Sequence, residues 1–189
     1  NQVKGEPCND CYICEAITNG SLEDVIEIDA ASNNGVDEIR DIRDKSTYAP
    51  SLAKHKVYII DEVHMLSTGA FNALLKTLEE PTENVVFILA TTELHKIPAT
   101  ILSRVQRFEF KSIKLPDIVH HLESILAKES ISYEADAVQI IARRAEGGMR
   151  DALSILDQAL SLTAGSELTT EIAEEITGSI SLAALDQYV

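Results

Sequence analysis

Two adjacent acids, Asp61 and Glu62, end the apolar run Val57-Tyr58-Ile59-Ile60, and residue types in that order can do chemistry. The first carboxylate of such a pair can hold magnesium directly or through water. The second can orient or polarise an attacking water, which is the Walker B arrangement of nucleotide hydrolysis. The plainer alternative is that the acids end a strand and cap the helix that follows. Three cysteines form a second candidate, because Cys8-Asn9-Asp10-Cys11-Tyr12-Ile13-Cys14 holds two overlapping C-x-x-C units. That spacing suits tetrahedral zinc, although three thiolates leave a structural site one ligand short. Either a fourth ligand lies upstream or the site is open or empty, and a redox pair or simple buried thiols are the alternatives.

Further candidates follow along the chain. The apolar run Val85-Val86-Phe87-Ile88-Leu89-Ala90 ends in Thr91 and Thr92, whose hydroxyls could reach a γ-phosphate or attacking water, or could cap the next turn. Arg104, in Ser103-Arg104-Val105, could bind the γ-phosphate of a nucleotide on a neighbouring subunit as an arginine finger, or could form a surface salt bridge. Arg150 follows Gly147-Gly148-Met149 in the first turn of a predicted helix. The helix dipole disfavours a cation there by about 0.3–1 kcal/mol, a hint that its work lies outside the helix, with nucleotide phosphate one candidate.

The elements that must position these residues can be read from periodicity. Short continuous apolar runs such as Val57–Ile60 and Val85–Ala90 predict strands buried on both faces of a parallel sheet, with ligands where the strands end. Val25-Ile26-Glu27-Ile28 predicts another strand, followed by the turn-rich Asp29–Gly35 and a helix carrying Val36, Ile39 and Ile42. Phe71, Leu74, Leu75 and Leu78 recur with helical spacing, so an amphipathic helix is predicted from about Thr68 to Glu80, stopped by Pro81. A further apolar strand is predicted over Val105–Phe110. From Leu115 onward helices follow one another: one opens around Pro116, one spans about Glu134–Ala145, and one begins at Met149 with Leu153, Leu156 and Leu160 inward.

Composition bounds the function classes. The 189 residues, 45% of them hydrophobic, can bury a substantial core. A formal net charge of -15 disfavours an autonomous nucleic-acid binder, because phosphate contacts need clustered Lys and Arg, but leaves DNA contact through partner subunits open. No run approaches the roughly 20 apolar residues of a membrane span, and no signal peptide is evident, so a cytoplasmic chain without membrane association is expected. Asn1 is not a Met start and Val189 ends an unfinished apolar pattern, so both ends are expected to be cut.

Together these residues resemble the ATPase motor subunits of bacterial DNA polymerase III clamp loaders, of the gamma/tau type, over nearly the whole chain. Asp61-Glu62-Val63-His64 is similar to the family's Walker B box, Ala90-Thr91-Thr92 to its sensor 1, and Ser103-Arg104 to its arginine-finger motif. Gly147-Gly148-Met149-Arg150-Asp151-Ala152 is similar to its sensor 2, and Glu27–Ser32 and Leu75–Pro81 to further family segments. The resemblance implies an α/β fold: an AAA+ RecA-like parallel-sheet domain over 21–112, preceded by a partial zinc module over 1–20. A three-helix lid over 113–178 and the start of an oligomerising collar over 179–189 would follow.

It also implies ATP, Mg2+ and Zn2+ as cofactors, with Asp61 on magnesium, Glu62 activating water, and Thr91 or Thr92 sensing the γ-phosphate. Arg150 would couple the lid to nucleotide and Arg104 would complete a neighbour's site. Cys8, Cys11 and Cys14 would be three ligands of a C-x8-C-x2-C-x2-C site whose first cysteine falls two positions before Asn1. The partners implied are the other subunits of a heteropentameric clamp loader, the sliding clamp, and primed DNA held through the assembly.

Two departures stand out. No G-x-x-x-x-G-K-[ST] loop occurs in these residues, the family's lying upstream of the zinc module, so this stretch alone is not expected to hold ATP productively. Val105 stands where the family motif usually continues Ser-Arg-Cys, a packing change that leaves Arg104 in place. Two alternatives remain at this level. A DExH-type helicase fits the Asp61–His64 box but predicts a second RecA-like domain. A non-hydrolysing scaffold subunit would not need the acid pair.

Overall fold

A computed structural model describes residues 2–3, 5–163, 165 and 167–178, so the expected collar segment 179–189 lies outside the described residues. The chain divides into two compact units between Phe108 and Glu109.

In the first unit, β1 (Gln2–Val3) and β2 (Glu6–Pro7) pair antiparallel ahead of α1 (Tyr12–Thr18). A parallel sheet follows, built from β3 (Val25–Asp29), β4 (Lys56–Asp61) and β5 (Val85–Leu89) in the order β3-β4-β5. Its crossovers carry α2 (Val36–Ser46) and α3 (Thr68–Glu79), and α4 (Ala99–Leu102) comes after β5. The sequence dictates this local structure. Branched and aromatic runs make the strands, while Ile39 and Ile42 of α2 and Ala70, Phe71, Ala73 and Leu74 of α3, spaced three or four apart, face the sheet. The Ser67 hydroxyl accepts the N–H of Ala70 and starts α3 cleanly.

Central strand β4 holds Tyr58 and Ile60 completely buried, and the Tyr58 ring stacks on Phe87 of β5 with centroids 5.3 Å apart. Truncating a side chain as buried as Ile60 to Ala costs about 2–5 kcal/mol, so this packing fixes where β4 ends.

Burial on both sheet faces holds for one face only: Tyr58, Ile60, Phe87 and Leu89 pack with α2 and α3, while Val86 and Ile88 on the other face are exposed at 41% and 48%. The strand predicted over Val105–Phe110 is irregular chain, with Phe108 and Phe110 exposed at 74% and 97%. Its valine and phenylalanines suit a strand, but a strand also needs a hydrogen-bonding neighbour, and the described residues supply none.

The second unit is helical: α5 (Leu115–Lys128), α6 (Ala135–Arg144), α7 (Met149–Thr163) and α8 (Thr170–Thr177). Ile118, Leu122 and Leu126 of α5, Val138 and Ile141 of α6, and Ala152, Leu156 and Ala159 of α7 form its core, joined by Ala173 of α8. Leu153 does not point inward as its spacing suggested and is 38% exposed, the small Ala152 taking the buried position instead. Helix α8, which the sequence reading did not isolate, packs on α6 and α7.

Candidate active site

The parallel register puts the candidate groups at one end of the sheet. Asp29 of β3 pairs with Asp61 of β4, and Ile60 with Leu89 of β5, so the carboxyl ends of the three strands lie side by side. The chain beyond β5 stays close, since Ala90 N–H donates to the Ile60 carbonyl (2.9 Å) and Val63 N–H donates to the Ala90 carbonyl (2.9 Å). Asp61 is exposed, and one of its carboxylate oxygens accepts the Glu62 N–H at 2.9 Å, which leaves the other oxygen for a cation.

Glu62 takes the left-handed backbone conformation, with φ 46° and ψ 42°. A non-glycine residue there costs about 1–2 kcal/mol, and the turn sends the Glu62 side chain out of the strand's alternation toward the loop after β5. There the Thr92 hydroxyl donates to Glu62 Oε2 at 3.1 Å. Thr91 does different work: its Oγ1 accepts the Glu93 N–H at 3.0 Å and lies 3.0 Å from His64 Nδ1. The two threonines, interchangeable in the sequence, are thus distinct in the fold.

His64 is the residue that sequence reasoning left without a task, although it closes the Asp61–His64 box. Its side chain is only 8% exposed, and Nδ1 lies 3.2 Å from Glu62 Oε2 as well as near Thr91. A proton on Nδ1 would be shared between the carboxylate and the hydroxyl. On the far side Nε2 is 3.8 Å from Glu93 Oε1. The Lys96 ammonium, 2.7 Å from Glu93 Oε2, is the main reason the Glu93 carboxyl sits below the usual carboxylate range.

Asp29 lies beside Asp61 but is committed elsewhere: it accepts the Ser32 hydroxyl (2.7 Å) and the Ala31 N–H (2.8 Å), which close the turn after β3 and lower its pKa. Sequence reasoning also passed over Asp24, a single acid that is 1% exposed and accepts the N–H groups of Ser51 (2.7 Å), Leu52 (2.7 Å) and Ala53 (2.8 Å). No local pattern announces a contact nearly thirty residues away; an acid just before a strand was its only signal.

Arg104 follows the short helix α4. Its Nη2 donates to Glu79 Oε1 (2.6 Å), and its Nη1 donates to the Thr100 carbonyl (2.7 Å) and Ser103 Oγ (3.2 Å). Arg150 lies in the second unit, exposed in the first turn of α7. Just before it, Gly147 has φ +90°, and its carbonyl accepts the Ile113 N–H at 3.0 Å. A Cβ at Gly147 would come within 2.6 Å of Ser112 Cβ, so glycine is required twice over.

The cysteines converge. Cys11 precedes α1 and Cys14 lies in its first turn, while Cys8 comes from the end of the β1–β2 pair. Cys8 and Cys14 sulfurs are 3.8 Å apart, and all three lie within 4.8 Å of one another. Tetrahedral thiolates at a Zn–S distance of about 2.3 Å would be about 3.8 Å apart, so this donor set fits three corners of a zinc site. Hydrogen bonding with Asp10 pushes the Cys8 thiol up to about 11. The Cys14 N–H, with the Cys8 and Cys14 thiols, draws Cys11 down to about 7, so of these two it is Cys11 that gives up its proton first.

A parallel sheet with a carboxylate pair at the end of its central strand, followed by a helical unit, is an AAA+-like architecture. The fold is shared with a RuvB mutant from Thermotoga maritima at TM-score 0.65 and 16% identity, over 82% of this chain and 53% of that one. A family model described as DNA polymerase III, delta subunit, matches residues 1–114. A second, described as DNA polymerase III clamp loader subunit, ATPase lid domain, matches residues 117–165, which enclose most of α5, all of α6 and all of α7. The chain belongs to the clamp-loader subunit family of DNA polymerase III.

Among its relatives, the tau subunit of Bacillus subtilis is 64% identical over 93% of this chain, and that of Escherichia coli 48% identical over 94%. The gamma subunit of Buchnera aphidicola (strain Bp) is 42% identical over 94%. The chain spans 31%, 28% and 48% of those three proteins.

Proposed function

We propose that the intact protein to which this chain belongs is the ATP-hydrolysing subunit of a DNA polymerase III clamp loader. It works with other loader subunits to place a sliding clamp on primed DNA in the cytoplasm. Family membership supports the setting. The observation that carries the chemistry is the placement of Asp61 and Glu62 at the end of β4, with the Thr92 hydroxyl 3.1 Å from the Glu62 carboxylate.

Asp61 keeps one oxygen uncommitted and would hold magnesium, which supplies charge neutralisation to the phosphates when bound. Glu62 holds the attacking water and takes its proton. Thr92, rather than Thr91, senses the γ-phosphate, because Thr91 is occupied by Glu93 N–H and His64. A γ-phosphate that drew the Thr92 hydroxyl to itself would free Glu62 to act as base. Arg104 serves a nucleotide on a neighbouring subunit, and Arg150 links the helical unit to nucleotide state. Cys8, Cys11 and Cys14 hold zinc as a structural centre, with 1–20 as its module, 21–112 as the ATPase core and 113–178 as the lid.

Glu62→Gln in the full-length protein tests the reading. ATP binding should be retained and turnover should fall by about 10²–10⁴-fold, the usual contribution of a positioned base. Wild-type turnover in that variant removes Glu62 from the chemistry.

A further inference from the structure

Glu79 occupies the last position of α3, and Glu80 follows it. Acids at that end face the negative pole of the helix, so neither is there to support it. What Glu79 does instead is reach across 25 positions of sequence to Arg104, whose Nη2 lies 2.6 Å from its Oε1. The same guanidinium is held at Nη1 by the Thr100 carbonyl and Ser103 Oγ, so acceptors on both arms of the fork fix its plane. These acceptors do not exhaust the N–H donors of the group, and Nε remains available for a further anion.

The pair is half-open to solvent, with side-chain exposures of 34% for Arg104 and 49% for Glu79. Ion pairs so exposed contribute little to stability. Their geometry is another matter, because a planar fork held on one edge presents its other edge in a defined direction. Unrestrained, a long arginine side chain would have to be ordered anew at each encounter with a phosphate.

We propose that Glu79 is a positioning residue for Arg104, orienting its guanidinium toward the nucleotide phosphate of an adjacent subunit. This rests on the trans-acting role given to Arg104 above. The carboxylate neutralises part of the cation while it waits, and the Thr100 carbonyl sets the direction of the side chain.

The test is a double-mutant cycle in the full-length protein assembled with its partner subunits, reading steady-state ATPase. Glu79→Ala should lower kcat about tenfold, equivalent to about 1.4 kcal/mol, with the KM for ATP within about twofold and the unfolding midpoint unchanged. Glu79→Gln keeps an acceptor oxygen and should recover part of the loss. In an Arg104→Ala background, Glu79→Ala should add nothing further.

Multiplicative effects of the two substitutions would overturn the proposal, as would wild-type kcat in Glu79→Ala. A rise in kcat would also overturn it, since Glu79 would then restrain Arg104 rather than aim it. If Arg104→Ala itself turned over like wild type, the trans-acting role and this inference would fall together. A large loss in Arg104→Ala with none in Glu79→Ala would remove the inference alone.

Discussion

Replacing Asp24 by Asn removes a charge from a nearly inaccessible position without changing its shape. The wild-type carboxylate receives three backbone N–H groups, from Ser51, Leu52 and Ala53, at 2.7–2.8 Å. Asparagine offers one oxygen; placed where Leu52 and Ala53 donate, it keeps those two bonds without the charge and turns its NH₂ against the Ser51 N–H, so one bond is lost outright and two are weakened. Hydrogen bonds to a charged acceptor contribute about 1.5–3 kcal/mol each. Ser51 and Leu52 are exposed enough for water to replace part of that, which leaves a net cost of about 2–3 kcal/mol. With a urea m value of about 2 kcal/mol/M, the midpoint at pH 7, followed by circular dichroism, should fall by about 1–1.5 M.

The effect carries a pH signature. Burial alone would raise the Asp24 pKa, but the N–H groups of Ala53, Ser51 and Leu52, with the charge of Lys56, hold it below its ordinary value. A folded-state pKa that is depressed gives stability present in full above the unfolded value of about 3.9 and lost as pH falls through the folded value. The gap between wild type and Asp24→Asn should therefore narrow below about pH 4. An unchanged midpoint at pH 7, or a gap as wide at pH 2.5 as at pH 7, would refute this account of the loop.

Three shorter predictions concern other sites. Tyr58 is completely buried with no partner for its hydroxyl among the described residues, so Tyr58→Phe should leave stability unchanged or raise it by up to about 1 kcal/mol in the same urea titration. A loss beyond that would mean the hydroxyl is bonded. Gly147→Ala should destabilise the helical unit by about 2 kcal/mol, read as an earlier thermal transition, because alanine meets both the left-handed backbone and Ser112. Cys8→Ser should weaken zinc binding about tenfold or more in competition with a chromophoric chelator, and equal affinity would place the ligands elsewhere.

Much of the fold could be read from pattern. The runs at Val25, Val57 and Val85 became strands because side chains with one dominant period and branched β-carbons leave little choice. The helices from Val36 and Thr68, and those beginning near Pro116, Glu134 and Met149, carry apolar stripes that need a core. Pattern failed where the outcome depended on a distant partner. Val105–Phe110 is rich in strand-forming side chains but has no neighbouring strand among the described residues, and α8 packs Ile172, Ala173, Ile176 and Thr177 over only two turns, a stripe too short to stand out. The acids and hydroxyls could be picked out by type, but dividing Thr91 from Thr92 needed the His64 and Glu62 contacts. The Arg104–Glu79 pairing joins two helix ends whose approach no spacing announces.

A campaign to raise the heat resistance of this chain would soon arrive at Glu62. Its positive φ is one that glycine adopts freely and asparagine tolerates. Either substitution relieves the backbone, and both remove the carboxylate proposed to handle the attacking water. Selection for folding and selection for turnover would thus pull this residue in opposite directions. Variants gathered by thermal screening alone should accumulate at position 62 as well-folded proteins that have lost their catalytic purpose.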